Sequence, residues 1–273
     1  MQIVHKDRNE ARRILETAVT ELRRLESIFS IYDETSDLSR LNHSGVLTSP
    51  SPELVEVLST SLSLARMTGG AFDPTVQVLW QRSTRDTAAR EPLKSVLNRV
   101  GYRNIELSAR KIRLRQSNMA LSLNGIAQGY ITDRIVASLK DAGLDNVLVD
   151  CGEIYGAGQH ASGRSWKVAL AHNPGETISC QNQAIATSSG TLFEPGGSRL
   201  KGHIYDPATG MPADRYQSLS VVAPTAMLAD GLSTALSVMA EEAWEDVLKI
   251  LAEEDVRIYG MRKDGTRVRI SST

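Results

Sequence analysis

The hydrophobic period of this chain changes several times without settling into a strand–helix–strand repeat. Ala11, Ile14, Leu15, Ala18, Leu22, Leu25 and Phe29 recur at helical spacing, which predicts one long helix over residues 8–29. Arg12, Arg13, Glu16, Arg23 and Arg24 fall on its other faces and read as a solvated surface. Residues 30–37 break the pattern as a loop, and Ser39-Arg40-Leu41-Asn42 reads as a short turn. A second helix fits 52–68, with Ser51 before Pro52 at its start and Gly69-Gly70 as its stop. Residues 81–92 are polar and read as a mobile segment, and 92–100 turn helical again. The middle of the chain is strand-rich. Residues 104–107 and 111–115 form a hairpin; the alternation of its second arm suggests one wet face, and its Arg and Lys side chains read as edge charges rather than a binding stripe. Further strands fit 2–4, 119–123, 146–150, 166–171 and 218–223. Helices fit 127–142, 228–240 and 242–252, and a last hairpin joins 256–260 to 266–270. This irregular order predicts an α+β fold with mixed, largely antiparallel sheets and packed helices, rather than a doubly wound parallel sheet.

Composition removes several functions. Lys+Arg is 31 and Asp+Glu is 32, so the chain lacks the basic surplus by which nucleic-acid binders neutralise phosphate. No apolar run reaches the roughly 18 residues of a membrane span. Residues 1–8 have no apolar core region and do not read as a signal peptide. Cys151 and Cys180 belong to no CxxC pair and read as two buried thiols rather than a disulfide or zinc site.

Four segments interrupt apolar elements with polar or glycine-rich chemistry. Leu123 to Asp133 carries Gly125 and Gly129 between a strand and a helix start. It suits close backbone approach to a phosphate, or is simply a tight turn. Val149 to Gly158 holds three glycines with Asp150 and Glu153, a sheet corner or the place of a catalytic acid. Gly202 to Pro212 sets His203 just before the turn Asp206-Pro207-Ala208-Thr209-Gly210. His203 is a candidate general base, or a structural loop histidine. In Ala229 to Leu236, Asp230 and Thr234 are four apart and share one helix face. They offer hard oxygen ligands for Mg²⁺, unless Asp230 caps the helix and Thr234 bonds back to a carbonyl.

Taken in order, these segments carry a resemblance. With Phe29 to Tyr32, Ser36 to Asn42, Gly69 to Val76 and Ala186 to Gly190, they resemble the ApbE family of flavin transferases from about residue 10 to 240. The resemblance implies one ApbE-like domain over 1–273, with a flavin site in a central cleft. It implies transfer of FMN from FAD to a Thr or Ser hydroxyl of a target protein, with release of AMP. The alternatives are Mg²⁺-dependent hydrolysis of FAD to FMN and AMP, and a flavin-binding maturation protein without catalysis. Carried over, Asp230 and Thr234 are expected Mg²⁺ ligands, with the carbonyl of Ala127. Tyr32, Ala71, Phe72, Asp73, Asn124, Tyr130 and Asp206 are expected FAD contacts, and His203 is the expected base. The implied partner is a flavoprotein subunit of a membrane redox complex, and the implied location is the bacterial periplasm. Many members carry Lys where this chain has Gln128, and a common Gly where it has Cys151. Members usually start with a leader and a Met-Gly-Thr strand that lines the flavin site; this chain begins past that motif, so both are expected to be missing from it.

Overall fold

A computed structural model of the chain describes residues 1–84, 91–170, 175–189, 192–193, 199–200 and 202–272. The first half runs β1 (Gln2–Ile3), α1 (Arg8–Phe29), α2 (Asp37–Ser44), β2 (Val46–Thr48), α3 (Pro52–Met67), α4 (Gln77–Thr84), α5 (Leu93–Leu97), β3 (Ile105–Ser108), β4 (Lys111–Leu114) and α6 (Ala127–Asp141). The second half runs β5 (Val147–Asp150), β6 (Ile154–Ala157), β7 (Trp166–Ala169), β8 (Thr177–Cys180), β9 (Gln183–Ser189), β10 (Leu192–Phe193), β11 (Arg199–Leu200), β12 (Tyr216–Ala223), α7 (Ala226–Val238), α8 (Trp244–Ile250), β13 (Arg257–Arg262) and β14 (Arg267–Ser271). A seven-stranded sheet in the order β1-β5-β6-β9-β12-β13-β14 is antiparallel at every pairing. The expected α+β class therefore holds.

Two cores flank this sheet. On one face α6 and α7 pack with α1, and Leu219, Val221, Ala184 and Ala186 point into their cluster. On the other, the β7–β8 hairpin buries Trp166, Val168 and Ile178 against Ile185 and Val222. Helix α7 is buried nearly all round, which its small residues Ala229, Gly231, Ser233 and Ala235 permit. Burial of both faces also explains why β9 shows no alternation and was not expected as a strand.

Local signals set the helix ends. Asp7 accepts the N–H groups of Asn9 and Glu10 at the start of α1. Ser51 caps α3, as its place before Pro52 predicts, and Gly69 and Gly70 follow the helix with positive φ.

Four expectations need correction. The turn at 39–42 is part of α2, because Leu38 and Leu41 are fully buried and Ser36 caps the segment. Residues 119–123 join no ladder. The Asn42 side chain instead accepts the Leu121 N–H at 2.6 Å and donates to its carbonyl at 2.9 Å, taking the place of a neighbouring strand. Lys111 and Arg113 lie on the expected wet face, but β4 is the middle strand of the sheet β2-β4-β3, so they are not edge charges. Residues 81–84 belong to α4; 85–90, in the segment expected to be mobile, lie outside the described residues. Both cysteines are free, as expected, but only Cys180 is buried and Cys151 is partly exposed.

Candidate functional site

The site begins where α6 meets α7. Gly129, in the first turn of α6, lies against the start of α7, where a Cβ would stand 2.2 Å from the Ala226 carbonyl oxygen. Only glycine allows that approach. It brings the Gly129 N–H to Asp230, whose Oδ2 accepts it at 3.0 Å. Asp133, one turn further along α6, accepts the N–H groups of Ala226 and Met227 at 2.8 and 2.9 Å. Its carboxylate thus serves the open N-terminus of α7, while burial pushes its pKa up to about 6.

Asp230 is not a cap. Thr225 caps α7 through the Leu228 N–H, and Asp230 sits in the second turn, 4% exposed. Burial raises its pKa, opposed by the Gly129 N–H, and the neighbouring Asp133 adds to the rise. Glu153, also buried, is raised by burial first and by Asp230 second. Two buried carboxylates that line one cavity and repel each other call for a positive charge nearby.

These groups open onto one cavity of about 720 Å³. Asp230, Thr234, Glu153, Thr187 and Ser188 line it beside Tyr32, Ala71, Phe72, Asp73, Trp80, Asn124 and His203. Ser188 Oγ lies 2.8 Å from Ser233 Oγ and 3.5 Å from Thr234 Oγ, which fixes the floor of β9 against α7. Gly125 makes room for Thr234, since a Cβ there would come within 2.6 Å of the hydroxyl oxygen. Carboxylate, hydroxyl and carbonyl are hard donors, so Asp230, Thr234 and Ala127 fit a Mg²⁺ ion in kind. Among the described residues no three His, Cys, Asp or Glu side chains form a metal cluster. Ala127 opens α6 and is buried; it lines a second, adjoining cavity rather than the first.

Asp73 lines the cavity but has its oxygens engaged. Oδ1 accepts the Thr75 N–H and hydroxyl, and Oδ2 accepts the Tyr102 N–H at 2.8 Å. Burial raises its pKa against those bonds. Tyr32 is 79% exposed at the cavity rim, whereas Phe72 is buried within. His203 keeps an exposed surface although the surrounding protein lowers its pKa by desolvation. The open surface limits that effect, and the imidazole is mainly neutral at pH 7. The loop after it is self-braced: Asp206 accepts the Ala208 N–H and the Thr209 hydroxyl, and Gly210 turns with φ 69°.

Two expected contacts lie elsewhere. Tyr130 is 2% exposed, packs edge-on against Phe29 and donates its hydroxyl to Glu56 at 3.0 Å. It belongs to the α1–α3–α6 core and does not line the cavity. Asp206 also stays off the lining and holds the turn behind His203. Gly190, the last residue of the 186–190 motif, lies outside the described residues. Sequence reasoning missed Gln77 and Trp80 as cavity residues. The signal for Gln77 was a single polar residue between Val76 and Val78.

Known proteins match this arrangement. A family model described as the ApbE family matches residues 1–259. The FAD:protein FMN transferase of Haemophilus influenzae is 30% identical over 256 residues, covering 84% of this chain and 72% of its own. That of Treponema pallidum is 31% identical over 268 residues, covering 85% and 73%. The flavin transferase ApbE from Vibrio cholerae shares the fold, with a TM-score of 0.83 at 24% identity over 100% of this chain and 91% of its own. The ApbE protein from Thermotoga maritima gives 0.81 at 26% identity over 94% and 89%. By its motifs, its fold and these matches, the chain belongs to the ApbE family.

Proposed function

We propose that this protein transfers the FMN half of FAD to a threonine or serine hydroxyl of a target protein and releases AMP. The observation that carries the reading is the joining of three kinds of chemistry in one cavity. Aromatic walls suit flat rings, buried oxygen donors suit a cation-bound pyrophosphate, and a neutral imidazole suits an incoming hydroxyl.

Phe72 and Trp80 offer ring surfaces for the flavin or adenine, with Tyr32 at the rim. Asp230, Thr234 and the Ala127 carbonyl would hold Mg²⁺, which when bound neutralises pyrophosphate charge and polarises phosphorus. His203 accepts the proton of the acceptor hydroxyl as its oxygen attacks the FMN phosphorus. The bond from that phosphorus to the bridging oxygen breaks, and its electron pair departs on AMP. Asp206 and Thr209 keep the His203 loop in place without touching the reaction. A redox-complex subunit as acceptor and a periplasmic setting are parts of the same proposal, carried from the family resemblance.

The test is to mix the protein with FAD, Mg²⁺ and a threonine-bearing acceptor. The expected product is an acceptor heavier by one FMN unit; an unchanged acceptor in the presence of bound FAD would refute the reading. Replacing His203→Ala should slow transfer by about 10²–10⁴-fold, the usual worth of a general base. Full activity in that variant removes His203 from the role. Asp230→Asn keeps an oxygen for the Gly129 N–H but loses the charge. Mg²⁺ should therefore raise the melting temperature of the native chain and leave that of the variant unmoved.

A further inference from the structure

The cleft continues past His203. A second cavity of about 590 Å³ meets the first at Asn124, Gln128 and His203. Ala127, whose carbonyl belongs to the proposed Mg²⁺ site, stands at that junction, and the walls beyond it are foreign to the first cavity: Glu26, Ser27 and Phe29 at the end of α1, Ser30 and Asp33 in the following loop, Ile131 on α6, and Cys151 after β5. The floor is apolar and the rim is rich in hydrogen-bonding groups. That combination suits a stretch of polypeptide, whose backbone must bond while its small side chains are sheltered.

The chemistry demands such a second entrance. The proposed reaction joins two large molecules at one imidazole, and in this reading FAD takes the first cavity. The acceptor hydroxyl must then reach His203 from a side that FAD leaves open. We propose that the second cavity seats the acceptor segment, an extended stretch of the target protein whose threonine or serine hydroxyl meets His203 at the junction. This rests on the flavin-transfer reading. The acceptor oxygen bonds to the FMN phosphorus, AMP leaves with the bridging oxygen, and the proton passes to His203 and then to the departing phosphate or water.

The chain carries its own probe. Cys151 is a free, partly exposed thiol in the second cavity, and Cys180 is fully buried, which makes it an internal reference. The full-length protein is alkylated with N-ethylmaleimide and followed by intact mass, with and without saturating FAD. FAD should leave the Cys151 rate within about twofold, because Cys151 lines the second cavity and not the first. The alkylated protein and a Ser27→Trp variant, which fills the cavity from the α1 side, should keep FAD affinity. Both should form FMN-peptide from a library of short threonine-centred peptides about tenfold or more slowly, as expected when a binding surface is blocked. Shielding of Cys151 by FAD overturns the proposal, as does native transfer by both blocked forms. A native chain that binds FAD but labels no peptide removes the transfer reading, and this inference with it. Labelling that is equal in native and blocked forms removes the second cavity alone.

Discussion

Replacing Gly129 by alanine probes the joint on which the site is built. The added Cβ would stand 2.2 Å from the Ala226 oxygen, 2.6 Å from its carbonyl carbon and 2.7 Å from the Met227 Cα. These are backbone atoms, and Asp133 holds the N–H groups of both residues, so they cannot turn aside. Reaching ordinary contact near 3.4 Å requires α6 and α7 to part by about 1 Å. Overpacking of this kind costs about 1–3 kcal/mol. Stretching the Gly129–Asp230 hydrogen bond adds about 1.5–3 kcal/mol for a charged acceptor. A total of about 4 kcal/mol corresponds to a melting temperature lowered by about 8–16 °C, at ~2–4 °C per kcal/mol. Thermal unfolding by circular dichroism, with a urea titration to confirm an unchanged slope, reads the effect. Gly231→Ala is the matched control, since its Cβ meets side-chain atoms, the Leu64 tip at 2.3 Å and Ile126 at 3.8 Å, and its three nearest atoms include no backbone. A Gly129→Ala protein that melts within about 3 °C of the native chain, or no lower than Gly231→Ala, would refute the argument from close backbone approach.

Two further outcomes follow from the same geometry. Tyr130→Phe should lose about 0.5–1.5 kcal/mol of stability with its bond to Glu56 and leave FAD affinity unchanged, measured by urea unfolding and flavin titration. A fall in affinity would restore Tyr130 to the flavin site. Burial pushes the Asp133 carboxyl from its ordinary 3.8 up to about 6, so the native state binds its proton more tightly. Its contribution to stability is present below pH 3.8 and fades as pH rises through about 6. Asp133→Asn should therefore flatten the fall in stability across that window. An unchanged slope would assign the dependence to other groups.

Most helices were legible because their signals are local. The stripe from Ala11 to Phe29 and the Ser51-Pro52 start need no partner to be recognised, and α1 and α3 begin where those signals place them. Elements defined by distant partners were not legible. Residues 119–123 look like a strand but are satisfied by Asn42, and β9 hides its period because both faces are covered. The same division runs through the site. Asp230 and Thr234 share a helix face by spacing alone, and their meeting with Phe72, Asp73, Asn124 and His203 in one cavity needed the fold. Tyr130 shows the limit of motif transfer: it lies three residues past Ala127 in α6, where the helix turns it toward Phe29 and Glu56. Glu153 was visible only as an acid near a sheet corner, and its sharing of a cavity with Asp230 depends on α7 arriving against β9.

The outer margin of the main sheet bears on how the chain assembles. Gln2 and Ile3 pair with Leu148 and Val147, and the Val4 N–H donates to the Asn146 carbonyl. This strand thus pairs with a partner more than half the chain away, while α1 beside it can nucleate from neighbouring contacts. Closing so large a loop returns a two-residue ladder between Gln2–Ile3 and Val147–Leu148, so this margin is expected to form late. It is also the first to open when the native chain breathes, long before the β9–β12 centre that supports the cavity floor.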